Sequence, residues 1–226
     1  MPGHSWDVLV SLNPAVPTAL AELAATWGPA SVAAPPRTAA SVVLCRDGAA
    51  GLETYLLHRH ARMAFAASMA VFPGGGVDPV DLAAEDPVLA CARRETEEET
   101  GVRLATADLV RWAHWITPTP QPIRYDTVFY LAALPAGQAA ADLSTETEHA
   151  AWTVPAAAVE AYASGRVTMM PPTVSILLEL AGIGSVAEAL ELGRDRVVDT
   201  VLPAVVRDGD RWVYRYPLAA VGPVDA

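Results

Sequence analysis

Between Asp86 and Gly101 the chain carries the local signals that bound an α-helix at both ends, and no other segment constrains the fold as tightly. Asp86 suits the N-cap, Pro87 the first helical position, residues 87–100 are rich in Ala, Leu, Arg and Glu, and Gly101 stands where a left-handed residue closes a helix. Inside it runs Arg94-Glu95-Thr96-Glu97-Glu98-Glu99-Thr100-Gly101-Val102. At about 100° per residue, Glu98 falls about 60° to one side of Glu95 and Glu99 about 40° to the other, whereas Glu97 points away. Three carboxylates share one face. An acidic run is ordinarily a solvated helix surface, but the energetics oppose that reading. Glu95 and Glu99 are a like-charge i,i+4 pair costing about 0.2–0.5 kcal/mol, and each anion in the last turns opposes the helix dipole by about 0.3–1 kcal/mol. A hard divalent cation reverses the sign, because carboxylate oxygens are its preferred ligands. The pattern predicts a metal face.

Such a helix needs a core to pack on. The 226 residues, 52% hydrophobic and 18% charged, are enough for one substantial core and exclude the disordered and fibrous classes. A net charge of −11 argues against nucleic acid or an anionic membrane as partner, and implies that a polyanionic substrate is met through a cation. Two cysteines, Cys45 and Cys91, point to a reducing, cytoplasmic setting rather than a disulfide scaffold. The amino-terminal residues lack a secretory signal, and Val224-Asp225-Ala226 is no peroxisomal address. The apolar stretch from Thr173 to Leu192 is broken by Glu179, Gly182, Gly184, Glu188 and Glu191 and reads as core helix, not a membrane span.

Gly and Pro divide the rest. A leader, residues 1–36, ends at Pro35-Pro36, and residues 37–226 read as one domain with a C-terminal extension. Ala39–Cys45 and Glu53–His58 suggest a hairpin turning at Arg46-Asp47-Gly48; Val71-Phe72 runs into Pro73-Gly74-Gly75-Gly76. Leu109–Ile116 and Tyr125–Leu134 read as strands, Pro155–Ser164 and Thr173–Leu180 as helices, and Val197–Val201 with Trp212–Tyr216 as a late strand pair. Strands and helices are mixed rather than segregated, an α+β or α/β pattern.

With these residues in view, the chain resembles the Nudix hydrolases, whose box reads G-x5-E-x7-R-E-U-x-E-E-x-G-U with U aliphatic. Arg94 to Val102 matches its second half, with Thr96 in place of the first aliphatic residue, and Gly75 takes the box glycine. Counted back from Arg94, the first acidic position falls on Asp86, with Glu85 as the alternative, and ten residues rather than five then separate it from Gly75. The resemblance implies a Nudix fold, a mixed β-sheet sandwiched between helices, with further C-terminal helices and a short strand pair. It also implies Mg²⁺ or Mn²⁺ held by Glu95, Glu98 and Glu99 with a backbone carbonyl at Gly75, and Arg94 orienting the glutamates. The expected reaction is diphosphate hydrolysis, in which the metal lowers the pKa of the attacking water and neutralises phosphoryl charge. Either a box glutamate or Glu148 takes the proton.

Leu56-Leu57-His58-Arg59, Arg62 and Val71-Phe72-Pro73-Gly74-Gly75 are similar to the stretch before the box in coenzyme A diphosphatases, and Trp115-Ile116-Thr117-Pro118, Arg124-Tyr125-Asp126-Thr127, Trp152 and Met170-Pro171-Pro172-Thr173 extend that likeness. This implies a small nucleotide-diphosphate substrate, coenzyme A or acyl-coenzyme A first and NADH or ADP-ribose second, with Arg59, Arg62 and Arg124 pairing with phosphates. A homodimer is compatible with this reading. The alternative of another class is a Nudix-fold binding or regulatory module without catalysis.

Overall fold

The computed structural model describes residues 12, 16–60 and 68–216. Eleven strands are placed among them: β1 (Arg37–Gly48), β2 (Gly51–Arg59), β3 (Met69–Val71), β4 (Gly74–Gly76), β5 (Val110–Ile116), β6 (Tyr125–Ala133), β7 (Thr147–Thr153), β8 (Thr168–Met169), β9 (Thr200–Val201), β10 (Ala204–Asp208) and β11 (Arg211–Arg215). The helices are α1 (Thr18–Thr26), α2 (Pro87–Thr100), α3 (Pro155–Ala163), α4 (Pro171–Leu180) and α5 (Val186–Arg194). Nine strands form one mixed sheet in the order β8-β3-β2-β1-β6-β5-β9, with β4 paired to β1 and β7 to β2, while β10 and β11 form a separate hairpin.

The fold follows from where apolar residues run unbroken. Ala39 to Cys45 are all buried, which identifies β1 as a strand covered on both faces. It pairs in parallel with β6 and antiparallel with β2. One face, through Val42, Leu44, Val128 and Tyr130, receives Cys91 and Ala92 of α2. The other, through Val43, Leu131 and Trp112, receives Val174, Ile176 and Leu177 of α4 and Ala189 of α5. Alternation along each strand thus puts the acidic helix on one side of the sheet and the later helices on the other. Within the sheet one register row runs Gly76, Ala39, Thr127, Trp115, Val201, crossing β4, β1, β6, β5 and β9.

Helix α2 has the limits its sequence sets. The Asp86 carboxylate accepts hydrogen bonds from the backbone N–H groups of Val88 (2.9 Å) and Leu89 (3.0 Å), and Gly101, at φ 72°, returns its N–H to the carbonyl of Glu97. Two expectations differ. The late strand pair is β10 with β11, turning at Gly209, while Val201 joins the main sheet opposite Trp115. The stretch from Thr173 to Leu192 is two helices rather than one, with Gly182 and Gly184 in the break between α4 and α5. No helix among the described residues is long and apolar enough to cross a membrane.

Asp86 caps the helix through the N–H groups of Val88 and Leu89. Replacing it with Ala should lower stability by about 1 kcal/mol in urea unfolding and leave divalent-cation affinity unchanged.

Candidate active site

The organising group is Arg94. Its guanidinium meets Asp81 with two bonds, Nη2 to Oδ2 at 2.8 Å and Nε to Oδ1 at 3.1 Å. Nη1 reaches Glu95 at 2.9 Å and Glu98 at 3.0 Å, and Nη2 also donates to the Gly76 carbonyl. Asp81 is only 3% exposed, so the pair holds mainly because the fork is bidentate and charge-assisted. The Asp78 N–H donates to the same carboxylate. The Arg94 bond holds the Asp81 carboxyl below the usual carboxylate range, and Asp81 in turn raises the Arg94 pKa.

The partner of Arg94 is therefore Asp81, not Asp86 or Glu85. Asp81 follows Gly75 by the five intervening residues of the box, and the departure lies after it: twelve residues rather than seven separate Asp81 from Arg94. The additional residues, 82–86, bridge a 3-10 turn at Asp81–Ala83 to the start of α2. Counting forward from the glycine would have found the residue; counting back from Arg94 found the helix cap.

Backbone contacts require glycine at Gly74, whereas a side chain at Gly75 would displace Glu95. A Cβ on Gly74 would overlap the Ala40 carbonyl, and one on Gly75 would overlap the Glu95 carboxylate. The Gly74 N–H donates to Glu99 Oε2 at 2.9 Å. The carbonyl of Gly75 accepts from the Cys91 thiol, which is fully buried and pushed up to about 12, a packed group rather than a nucleophile. Burial raises the Glu99 carboxyl to about 7, against the opposing pull of Gly74 N–H and Arg59, and burial also raises Glu95, opposed by Arg94. Glu97 points away and pairs with Arg103 at 2.6 Å.

Glu95, Glu98 and Glu99 line one cavity of about 720 Å³ together with Gly74, Gly75 and Gly76. Among the described residues their oxygens do not converge as a ready-made metal cluster, two of the three being drawn to Arg94. The donor set nonetheless fits a hard cation: three carboxylates open onto one cavity, and burial raises two of them above the usual carboxylate range.

Arg59 lines the same cavity, 17% exposed, with Nη2 bonded to Glu146 at 2.7 Å and a buried Nε that has no hydrogen-bond partner. Glu146, not anticipated from sequence, is on the cavity wall; Glu148, two residues on, is exposed on β7 and is not. Arg124 is buried and donates to the carbonyls of Thr117 (3.0 Å) and Ala34 (2.8 Å), tying β6 to the leader instead of lining the cavity. Arg62 lies outside the described residues.

The NUDIX domain model matches residues 35–171, more than half of the chain. The chain belongs to the Nudix family. Over 184 residues it is 28% identical to the Caenorhabditis elegans protein that carries the name nudix hydrolase 7, a match covering 65% of this chain and 61% of that protein, so the chain spans under two thirds of that relative's length. The crystal structure of a NUDIX hydrolase from Alicyclobacillus acidocaldarius superposes with a TM-score of 0.62 at 26% identity, covering 70% of this chain and 96% of that one. The NUDIX domain of Shewanella oneidensis NrtR, solved with ADP ribose, shares the fold at a TM-score of 0.51 and 17% identity, covering 70% and 94%. Helix α1 and everything after residue 171, including β9 to β11, lie outside the matched Nudix domain.

Two outcomes test this geometry. Asp81→Ala should cost about 2 kcal/mol in urea unfolding, because charge-assisted bonds are lost, and should weaken Mn²⁺ binding as well; if it affected stability no more than Asp86→Ala and spared the metal, the anchor would not be Asp81. Glu99 has a folded-state value of about 7 above a reference of 4.5, so the folded chain binds more protons than the unfolded one between these limits. Metal-free stability should therefore be present at low pH and fall as pH rises through about 7, by on the order of 2 kcal/mol. Glu99→Gln should flatten that slope in EDTA, as read from denaturation midpoints at about pH 5 and about pH 8.

Proposed function

We propose that this chain hydrolyses the P–O–P linkage of nucleoside diphosphate derivatives with the help of Mg²⁺ or Mn²⁺. The observation that carries the reading is that three glutamates, two of them held by Arg94, and the cation Arg59 open onto one cavity. A diphosphate needs positive charge along its length, and this cavity offers a guanidinium at one point and an anionic, cation-seeking face at another. Glu95, Glu98 and Glu99 would hold the metal, which when bound supplies a water of lowered pKa and neutralises charge on the phosphoryl oxygens. Arg94 keeps Glu95 and Glu98 in place, and Arg59, already fixed by Glu146, orients the diphosphate. Of the acids considered as proton acceptor, Glu98 and Glu99 line the cavity and Glu148 does not, which favours a base on the helix.

Coenzyme A or acyl-coenzyme A is the first substrate we propose, cleaved to 4′-phosphopantetheine or its acyl form and adenosine 3′,5′-bisphosphate, on the strength of the Leu56-Leu57-His58-Arg59 stretch. The use of Arg124 on backbone carbonyls favours a second reading, NADH or ADP-ribose, because it removes one partner for a 3′-phosphate. A module without catalysis is disfavoured by the retention of Arg94, Glu95, Glu98 and Glu99 on one face.

Glu98→Gln should lower kcat by at least about 100-fold on whichever of these substrates is cleaved, since it removes a charge that stabilises the transition state. Glu97→Gln, on the far side of the helix and paired with Arg103, should stay within about three-fold of wild type. Comparable losses in the two variants, followed by product mass spectrometry with saturating Mg²⁺, would overturn the assignment of the face.

A further inference from the structure

The cavity extends past the glutamates along the sheet, and its two sides differ in kind. Its floor follows the register row from Gly76 through Ala39 and Thr127 to Trp115, and its wall continues to Pro203, just beyond β9. At about 4.8 Å per strand, the three intervals from β4 to β5 span about 14 Å. The middle of the row has the smaller side chains, Ala39 and Thr127, and the far side has Trp115.

Every charged side chain on the cavity wall, Arg59, Glu95, Glu98, Glu99 and Glu146, belongs to α2, to β2 or to the segment leading into β7, which pairs with β2. The β5 and β9 side has Trp115, Ile116, Pro203 and Tyr214, with the uncharged Thr117 and Gln121 after β5, and α1 adds Leu20. Leu20 and Tyr214 come from opposite ends of the chain, and both lie outside the matched Nudix domain; α1 packs against β10, whose partner β11 carries Tyr214. The Tyr214 ring stacks on Tyr216 at 6.2 Å, and Tyr216 meets Trp115 edge-on at 5.9 Å, so the hairpin is fixed to the sheet through aromatic contacts. A charged group entering this side would find no counter-ion on its walls, whereas an apolar group would shed water against it.

We propose that α1 and the β10–β11 hairpin build a second subsite, beyond the metal face, which takes an uncharged apolar substituent carried by the diphosphate and selects it through Tyr214. The proposal rests on the diphosphatase reading for its substrate and narrows it: the preferred molecule has a nucleoside on one phosphate and an apolar chain on the other, which disfavours NADH and ADP-ribose, whose second substituent is a polar sugar. The flanking segments then act as specificity elements added to a common hydrolytic domain.

The test uses ADP methyl, butyl and octyl esters, which share nucleoside and diphosphate and differ only in chain length. Two quantities are read: kcat/KM with Mg²⁺ on the wild-type chain, and Kd by calorimetry on Glu98→Gln, where turnover is suppressed. The octyl ester should exceed the methyl ester by at least about ten-fold in both. Tyr214→Ala should reduce the octyl-to-methyl ratio to about three or less, and Tyr214→Phe should retain the wild-type ratio. Tyr214→Trp, which narrows the wall without removing it, should move the optimum from octyl to butyl and stands in should the alanine variant fail to fold. Equal values for methyl and octyl, failure of the octyl ester to bind, or equal loss on both esters in Tyr214→Ala would overturn the subsite. Tighter octyl binding without hydrolysis of any ester, coenzyme A, NADH or ADP-ribose would leave the subsite standing and overturn the diphosphatase reading.

Discussion

One guanidinium holds this site together. Arg94 lies between an almost fully buried aspartate and two cavity-facing glutamates, and its five donors are arranged so that one plane meets all three carboxylates and the Gly76 carbonyl. A lysine would offer a point charge and could not span them. Because Asp81 comes from the turn after β4 and the glutamates from α2, the same contact fixes how the glycine loop sits on the helix. Gly74 and Gly75 complete the arrangement from the other side, where any side chain would collide with β1 or with Glu95.

The sheet supplies the second constraint. The parallel pairing of β1 with β6 puts Ala39 beside Thr127, and the antiparallel partners on either side add Gly76 and Trp115 to the same row. A shift of one residue in either pairing would turn Ala39 or Thr127 to the opposite face and substitute Ala40 or Val128, which face the acidic helix. Depth in the cavity and packing of α2 are thus two consequences of one register, held by burial on both faces of β1.

Helix α2 was fully legible in the sequence because its signals are local: a capping carboxylate, proline at the first position, glycine at the end, and a charge pattern whose phase depends only on helical geometry. Glu97 proved the phase by pairing away from the face. Contacts between distant segments were not legible. Asp86 satisfied the spacing from Arg94 and also satisfied a helix cap, and only the structure shows that it does the second, because residues 82–86 add length without disturbing either end. Glu146 and Glu148 look alike in sequence, but β7 pairs with β2 so that one reaches Arg59 and the other faces outward. Arg124 looked like a phosphate ligand because nothing local reveals that Thr117 and Ala34 present carbonyls to it. The roles of Leu20 and Tyr214 were out of reach for the same reason, since about 190 residues separate them and neither sits in a motif.

The metal-free site is held against its own electrostatics. Glu95 and Glu99 are raised by burial, Arg94 compensates only part of the charge, and the helix dipole opposes all three glutamates. Stability alone would favour apolar side chains here, such as Cys91 and Ala92 of the same helix, which are fully buried in the core. On the proposed function, a divalent cation would offset this charge, and folding and metal binding would then be linked: free energy given up in assembling the carboxylates would be returned on binding. The apolar side of the cavity carries no such debt. It is formed by aromatic and aliphatic contacts that also fasten the hairpin to the sheet, which allows the flanking segments to vary their walls while the charged side stays fixed by Arg94.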